Sequence, residues 1–415
     1  MTTSKPRTIA IVGGGIAGLC TALHIKEKGV ERVVVLEKDR VGSGSSSKSG
    51  AVNTMLMPTE TGTRARAITM DIFERFSRIL DNYSFHQVGC MFIMNQDQYR
   101  ATEPERQMHR RVGARFEILD HRAVAKRFPA LHLEENEYGI LDLRGGWNEP
   151  DTYIAALAAK VREMGVEIRE QEPVEAFIHE AGGITGVRSR TLGELRTDAV
   201  VCTLNAWANS LLAGVDQPIP VHNYVHERFV TTPLAQMPAI PATNDSATQV
   251  YYRPTEDRRL LFGCNTHEPQ RITRPGLDFD YGQLELHPAP APFIKQAIRT
   301  RLPLMEGVEF ADHRIGLISM TADRLPNIGP VAALPGLFLG CNFNSGGFGY
   351  HAVAGLLLAE FIVEGQTRID VSEFSPDRFK GVDVDAYLEA DLGYKDSGLP
   401  DAGDKDLGIP IARRH

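Results

Sequence analysis

The chain has 415 residues, 42% of them hydrophobic, and a formal net charge of -8 from 45 basic and 53 acidic residues. This length and composition allow a large buried core and favour two or three domains, which excludes a disordered tail or a fibrous protein. The charge balance contains no basic stripe, so we expect no nucleic acid partner.

The five cysteines are far apart in the chain and form no CxxC pair, so we predict neither a disulfide framework nor a zinc site, and no bound metal. Residues 1–7 are polar and lead directly into an apolar run, which leaves no room for a signal segment. The most apolar helix candidate, 352–363, contains Glu360 and is too short to cross a bilayer. We therefore expect a cytoplasmic protein without a membrane span.

A strand, a glycine turn and a helix are predicted in residues 8–19, whose sequence TIAIVGGGIAGL contains the pattern GxGxxG. In such a turn Gly13 allows the sharp exit from the strand, Gly15 lets the backbone approach a pyrophosphate, and Gly18 lets the helix pack closely on the strand. A glycine-rich surface turn is the alternative, but the strand before the motif and the helix after it disfavour that interpretation. The segment predicts a dinucleotide-binding unit.

The start of this helix and the next strand complete the predicted nucleotide site. Ile16 and Ala17 place N–H groups at a helix N-terminus, where the helix dipole favours a phosphate. Residues 32–36 form a second apolar run, and Glu37 follows it at the position where a carboxylate accepts hydrogen bonds from a ribose diol. We therefore assign Glu37, with Lys38 beside it, to an unphosphorylated adenosine ribose.

A segment of small residues, 42–51, follows with the sequence GSGSSSKSGA. A flexible linker is one interpretation of this composition. A linker is unexpected so early inside a nucleotide-binding unit, and small residues let a backbone run flat against a cofactor. We therefore predict a cofactor wall that includes Ser45, Ser46, Ser47 and Lys48, with Lys48 as a candidate catalytic residue against the alternative of a solvated lysine.

The middle of the chain alternates between helical and strand-like patterns. Asp151 is predicted to cap one of its helices. The periodicity predicts helices over 63–80 and 152–164, strands over 85–94, 165–168 and 197–203, and a hairpin around 182–193.

From residue 218 to residue 312 prolines are frequent and short strands alternate with turns, which predicts a separate, mostly antiparallel sheet. Tyr252 and Arg253 lie on one of these strands and are candidate substrate residues, although only one of Tyr251 and Tyr252 can face a pocket because neighbours alternate faces. His222 and His226 lack a third metal ligand nearby, and a surface position is expected for both.

A second strand, glycine turn and helix is predicted near the C-terminus, over 336–363. Its turn, Gly346-Gly347-Phe348-Gly349, lacks the GxGxxG spacing and a following acid, so we interpret it as a helix N-terminus aimed at another anionic part of the same cofactor. His351 begins the helix and is a candidate for contact with cofactor or substrate, against the alternative of a packing role. Residues 392–415 are expected to form an irregular arm or a disordered tail.

These motifs together resemble the D-amino acid oxidase superfamily of FAD-dependent oxidoreductases, which includes sarcosine oxidases, glycine oxidase and D-amino acid dehydrogenases. The resemblance extends to about residue 379. It rests on residues 11–18 with Glu37, the wall 42–51, VVCT at 200–203 before Trp207, TADRLPNIGP at 321–330, and GGFG at 346–349.

The resemblance implies an α/β fold, with a Rossmann-like FAD-binding domain and a second, mostly antiparallel β substrate domain. It implies oxidation of a C–N bond of a secondary amine or amino acid to an imine by hydride transfer to flavin N5, and it adds Val174, Asn205 and Trp207 to the cofactor residues. The electrons then pass to oxygen or to an electron carrier, and the chain is a possible homo- or hetero-oligomer. The expected FAD-binding parts are 1–84, 148–217 and 314–380, the substrate parts are 85–147 and 218–313, and 381–415 is an arm.

Four residues depart from the family pattern. Asn205 stands where relatives usually have glycine, and Gly316 where monomeric sarcosine oxidases carry a flavin-linked cysteine, which implies non-covalent FAD. Gly349 and Ile318 stand where relatives carry a lysine or an arginine that binds the substrate carboxylate. Two alternatives therefore stay open: oxidation of a 2-hydroxy acid on the same fold, or a flavin subunit of a heteromeric dehydrogenase with little activity alone.

Overall fold

Two large β-sheets organise the computed structural model, which describes residues 6–264 and 269–390. The α/β fold class with a second, mostly antiparallel sheet is confirmed. The described strands are β1 (Thr8–Val12), β2 (Arg32–Leu36), β3 (Val52–Asn53), β4 (Cys90–Asn95), β5 (Phe116–Asp120), β6 (Glu137–Asp142), β7 (Gly146–Trp147), β8 (Glu167–Arg169), β9 (Val174–Glu180), β10 (Gly183–Ser189), β11 (Gly193–Arg196), β12 (Ala199–Cys202), β13 (Val221–Thr231), β14 (Ala242–Asp245), β15 (Val250–Pro254), β16 (Leu260–Cys264), β17 (Phe310–Thr321), β18 (Asn327–Pro330) and β19 (Leu337–Cys341).

Helices cover the first sheet and connect the strands of both. They are α1 (Ile16–Glu27), α2 (Ser45–Lys48), α3 (Glu60–Ile79), α4 (Gln96–Ala101), α5 (Glu103–Arg111), α6 (His121–Arg127), α7 (Pro150–Glu163), α8 (Ala208–Leu212), α9 (Pro290–Ala297), α10 (Gly347–Glu364) and α11 (Val384–Glu389).

The first sheet has six strands in the order β18-β19-β12-β1-β2-β8, and all its pairings are parallel except β18 with β19. Its central strands are buried apolar runs, as expected for a parallel sheet with both faces covered. The carboxyl ends of β1, β2 and β12 meet at one edge, where ligands bind in open α/β sheets.

The second sheet has eight strands in the order β17-β13-β16-β15-β14-β4-β6-β5. Every pairing is antiparallel except β14 with β4. The predicted domain bounds stay a prediction, and strand β17 crosses the bound expected between residues 313 and 314. Of the predicted C-terminal arm, residues 391–415 lie outside the described part of the chain.

Several predicted elements differ from the structure in their bounds. Helix α3 begins at Glu60, because Thr59 caps it by accepting a hydrogen bond from the N–H of Gly62 at 3.0 Å. The strand expected over 85–94 is β4 and starts at residue 90, after Gly89 with φ of +86°. Helix α7 begins at Pro150, so Asp151 lies inside its first turn, where it pairs with Arg314 instead of capping the helix.

The C-terminal helix α10 is longer than the predicted 352–363, because it starts inside the second glycine turn. The segment Asn344–Glu364 is the single candidate in the described residues that is long and apolar enough to cross a membrane, and 67% of it is buried inside the protein. It packs against α1 so closely that a Cβ on Gly355 would lie 2.7 Å from the backbone nitrogen of Thr21. A core helix satisfies the same test, so the segment is weak evidence for a membrane span.

A buried ion cluster stabilises the far side of the second sheet. The Nε of Arg301 lies 2.7 Å from Asp245, its two Nη atoms lie 2.6 and 2.8 Å from Glu137, and all three side chains are under 10% exposed. We expect Arg301→Met to lower the free energy of unfolding by about 3–5 kcal/mol, because two carboxylates stay buried without their cation. Chemical denaturation measures this, with exposed Arg299→Met as the control; equal stabilities of the two variants would contradict the prediction.

Candidate active site

One cavity of about 570 Å³ joins the two glycine-rich turns predicted from the sequence. Gly15, Ile16 and Ala17 at the start of α1 line one part of it, and Gly346, Gly347 and Phe348 at the start of α10 line another. Both helices therefore direct their N-termini toward the same space, which favours an elongated ligand with more than one anionic part. The volume lies in the range of small-molecule sites.

The first glycine turn has the geometry that a dinucleotide site needs. Gly13 has φ of +110°, which L side chains rarely adopt, and a Cβ on Gly18 would overlap the carbonyl oxygen of Gly13. A Cβ on Gly15 would point toward the wall, 3.0 Å from the hydroxyl of Ser46. The residues present therefore fit a pyrophosphate held against this backbone.

Glu37 lies at the end of β2 beside the turn. Its carboxylate accepts hydrogen bonds from the N–H groups of Gly14 at 2.8 Å and Asp39 at 2.9 Å. Burial raises the pKa of Glu37, while these two hydrogen bonds oppose the rise. Glu37 is next to the cavity but does not line it, and neighbouring Lys38 donates to the carbonyl of Phe279 at 3.2 Å.

The small-residue segment forms helix α2 and is not a linker. Ser46 accepts a hydrogen bond from the N–H of Ile16 at 3.2 Å, and Ser45 donates to the carbonyl of Leu317 at 2.8 Å. Ser45 and Ser46 line the cavity, whereas Ser47 does not. The wall is thus tied to α1 on one side and to the second sheet on the other.

Lys48 lines the cavity at the end of this wall. Its Nζ lies 3.2 Å from the hydroxyl of Ser47 and 5.6 Å from the centre of the Tyr281 ring. Burial lowers the pKa of Lys48, and the nearby guanidinium of Arg314 adds to this effect. A Cβ on Gly316 would lie 2.6 Å from the Cβ of Lys48, so the glycine provides space for this lysine. The catalytic role of Lys48 stays a prediction.

The structure corrects two substrate candidates on strand β15. Tyr252 is completely buried in the apolar core of the second sheet and does not line the cavity; its neighbour Tyr251 does, because successive side chains point to opposite faces. Arg253 is also completely buried and is held by the carbonyl of Gly50 at 2.6 Å and by Glu149 at 3.3 Å. Arg253 is therefore engaged inside the protein and is not available to a substrate.

His351 is corrected to a packing residue. It is 0% exposed, does not line the cavity, and its Nε2 lies 2.7 Å from the hydroxyl of Tyr153. Burial lowers the pKa of His351 to about 3, so its imidazole stays neutral near physiological pH.

This lowered pKa predicts a pH dependence of stability. Below the ordinary histidine pKa of about 6.5 the unfolded chain binds a proton at His351 that the folded chain does not bind, so this contribution to stability is lost as pH falls from about 6.5 toward 3. We expect His351→Gln to flatten the fall in unfolding free energy across that range by at most about 1.4 kcal/mol per pH unit. Urea denaturation at several pH values measures the slope, and exposed His179→Gln is the control. If the unfolding free energies of wild type and His351→Gln fell with the same slope against pH, the prediction would be wrong.

Of the other predicted cofactor residues, some line the cavity and some do not. Asn205 lines the cavity with φ of +48°, a left-handed conformation that explains why glycine suits this position. Val174 opens strand β9 with its side chain in the core, and the indole of Trp207 donates to the carbonyl of Gly276 at 3.0 Å; neither lines the cavity. Gly349 lies just behind the lining, where a Cβ would overlap the guanidinium of Arg66.

Several polar cavity residues escape the sequence prediction. His226 lines the cavity and His222 stacks on Tyr387, so the surface positions expected for both histidines are wrong. A signal existed for Arg66, which falls on the buried stripe of α3 at helical spacing from Met70. The unpredicted polar lining residues include Thr54, Arg66, Glu105, Arg106, His109, Thr203, His226, Glu227, Asn244, Tyr251 and Asn344.

Comparison with known proteins gives one family. The family model described as DAO, FAD dependent oxidoreductase, matches residues 8–361. Mitochondrial dimethylglycine dehydrogenase of Rattus norvegicus is 24% identical over 401 residues, a match that covers 92% of this chain and 46% of that protein. The 4-methylaminobutanoate oxidase (formaldehyde-forming) of Paenarthrobacter nicotinovorans is 26% identical over 390 residues. This match covers 90% of this chain and 46% of that protein. The chain therefore spans about half the length of these two relatives.

A solved structure shares the fold along nearly the whole chain. The L-proline dehydrogenase from P. horikoshii superimposes with a TM-score of 0.82 at 24% identity, covering 91% of this chain and 98% of that one. At this identity the likeness shows the fold alone.

Proposed function

The chain belongs to the DAO family of FAD-dependent oxidoreductases, and we propose that it oxidises a C–N bond of a secondary amine or amino acid to an imine. The observation that supports this best is the single cavity reached by the N-termini of both α1 and α10. The names of the two relatives point the same way, since dimethylglycine and 4-methylaminobutanoate are both N-methylated amines.

When bound, FAD supplies the redox chemistry by accepting a hydride from the carbon next to the substrate nitrogen. The residues of the chain orient the cofactor and stabilise its charged groups. The start of α1 and Ser46 would hold the pyrophosphate, and the start of α10 would favour negative charge on the flavin. Lys48 is the candidate proton-handling residue, because burial lowers its pKa toward the range in which an amine accepts a proton.

FAD is proposed to bind without a covalent bond. Gly316 occupies the position of the flavin-linked cysteine of some relatives, and the described lining of the cavity includes no cysteine. Cys341 is completely buried, and burial raises the pKa of its thiol, which makes it a poor nucleophile. Acid precipitation of the holoprotein is expected to release all the yellow colour into the supernatant. Colour in the pellet would overturn the proposal and direct attention to His109 and His226, which line the cavity.

Two alternatives have their own support. Oxidation of a 2-hydroxy acid would use the same cofactor site. A flavin subunit that passes electrons to a partner chain and has little activity alone is supported by Ile318 and Gly349, neither of which offers a charge to a substrate carboxylate. In our proposal either oxygen or a separate electron carrier accepts the electrons, the chain is a possible homo- or hetero-oligomer, and the protein is cytoplasmic.

Anaerobic mixing of the purified holoprotein with candidate substrates separates these functions. We expect N-methyl and cyclic secondary amino acids to bleach the flavin absorbance, and matched 2-hydroxy acids to leave it unchanged. Bleaching by hydroxy acids alone would support the first alternative. Rapid bleaching by an amine without turnover in air would support an electron-transfer partner.

A further inference from the structure

Arg66 is a buried cation that faces the cavity from helix α3. Its side chain is 4% exposed, and no ion pair found within residues 6–264 and 269–390 includes it. Its partners are neutral groups: its Nη1 lies 3.5 Å from the carbonyl of Thr54, and it interacts with Tyr350 through a side-chain hydrogen bond and through the ring, whose centre lies 4.2 Å from the guanidinium. Its Nε has no hydrogen-bond partner. A buried guanidinium with so few partners is costly unless an anion completes its surroundings.

Two glycines of the second glycine turn make room for this guanidinium. A Cβ on Gly349 would overlap Nη1 of Arg66, and a Cβ on Gly346 would overlap Nη2. The start of α10 is therefore shaped around a guanidinium that comes from a different helix, α3.

We propose that Arg66 binds the carboxylate of the substrate, and hence that the substrate is an amine that carries a carboxylate. This proposal rests on the proposed function, because it takes the cavity to be the site of amine oxidation. The planar guanidinium offers N–H donors in the geometry that suits a carboxylate. Two other cations that line the cavity have partners of their own: Arg106 pairs with Glu103, and the Nζ of Lys48 lies 5.6 Å from the centre of the Tyr281 ring.

The position of Arg66 also predicts selectivity against uncharged ligands. A neutral group in place of the carboxylate would leave the guanidinium buried and unpaired, which is the strongest way for a polar site to reject an analogue. Ile318 lines the cavity as an apolar side chain and offers no cation as a substitute.

Titration of the holoprotein with acetate, followed by the change in flavin absorbance, tests the proposal without turnover. We expect acetate to perturb the spectrum and acetamide to have little effect. Arg66→Met should raise the Kd for acetate at least about tenfold while FAD stays bound, since a charge-assisted contact is lost. Gly349→Ala should raise it similarly, because the new methyl group displaces the guanidinium without removing it.

Arg75→Met is the matched control, since Arg75 lies on the same helix and pairs with Glu27 at the surface. Unchanged acetate affinity in Arg66→Met would overturn the proposal. The proposal would also be overturned if Arg66→Met lost affinity for FAD but still bound acetate, because Arg66 would then belong to the cofactor site. If Arg66→Met does not fold, Gly349→Ala decides in the same way. Acetate binding that depends on Arg66, in a protein that no amine reduces, would instead refute the proposed function and leave the carboxylate site standing.

Discussion

Gly15→Val is expected to give a folded chain that has lost most of its affinity for FAD. The backbone at Gly15 has φ of -74° and ψ of 178°, which any residue adopts, so valine does not strain the turn itself. Its Cβ would lie 3.0 Å from the Ser46 hydroxyl, and its methyl groups would enter the cavity where the pyrophosphate is expected. Overpacking of this kind costs about 1–3 kcal/mol, or about 5- to 150-fold in the Kd for FAD.

Isothermal titration of the apoprotein with FAD measures this change. Gly214→Val is the matched control, because a Cβ on Gly214 would have no neighbour within 4 Å. Wild-type affinity in Gly15→Val would mean that the pyrophosphate does not lie against this turn.

Gly18→Ala is expected to destabilise the apoprotein, although alanine is the better helix former. A Cβ on Gly18 would overlap the carbonyl oxygen of Gly13, which belongs to rigid backbone, so helix α1 must move away from strand β1. We expect the free energy of unfolding to fall by about 3 kcal/mol.

Gly347→Ala is a control for which we expect the opposite change in unfolding free energy, because nothing lies within 4 Å of a Cβ at that helical position. There alanine should raise the stability slightly, by up to about 1 kcal/mol. Urea denaturation of both apoproteins gives the comparison, and equal stabilities would show that α1 does not depend on the close contact at Gly18.

Local patterns predict the first two strands of the cofactor half of the molecule and the glycine turn between them. The closest steric constraint in the first turn acts between residues near in sequence, because a Cβ on Gly18 would overlap the carbonyl oxygen of Gly13. The buried apolar runs around them are equally local. For this reason strands β1 and β2 and the start of helix α1 lie close to the positions that the sequence predicts.

The substrate half depends on contacts between distant parts of the chain, and there the prediction failed in part. The sequence shows that Tyr251 and Tyr252 face opposite sides, but the side that faces the cavity is decided by packing against the rest of the sheet. Arg253 was expected at the substrate because it is a cation on that strand, and its neutralisation by Glu149, 104 positions away, could not be seen. Arg66 is the opposite case, a cation that the sequence does not assign to the substrate. That it faces the cavity without an acidic partner among the described residues follows only from the packing of α3 against α10.

The central claim is that this chain uses bound FAD to oxidise a carbon–nitrogen bond, and a single-turnover experiment tests it most directly. Holoprotein is mixed anaerobically with an N-methyl amino acid, flavin bleaching is followed, and the carbonyl compound released by hydrolysis of the imine is measured. The account predicts complete bleaching with one carbonyl product for each flavin reduced. Flavin that stays oxidised with every amine tested, but bleaches with a 2-hydroxy acid, would contradict it.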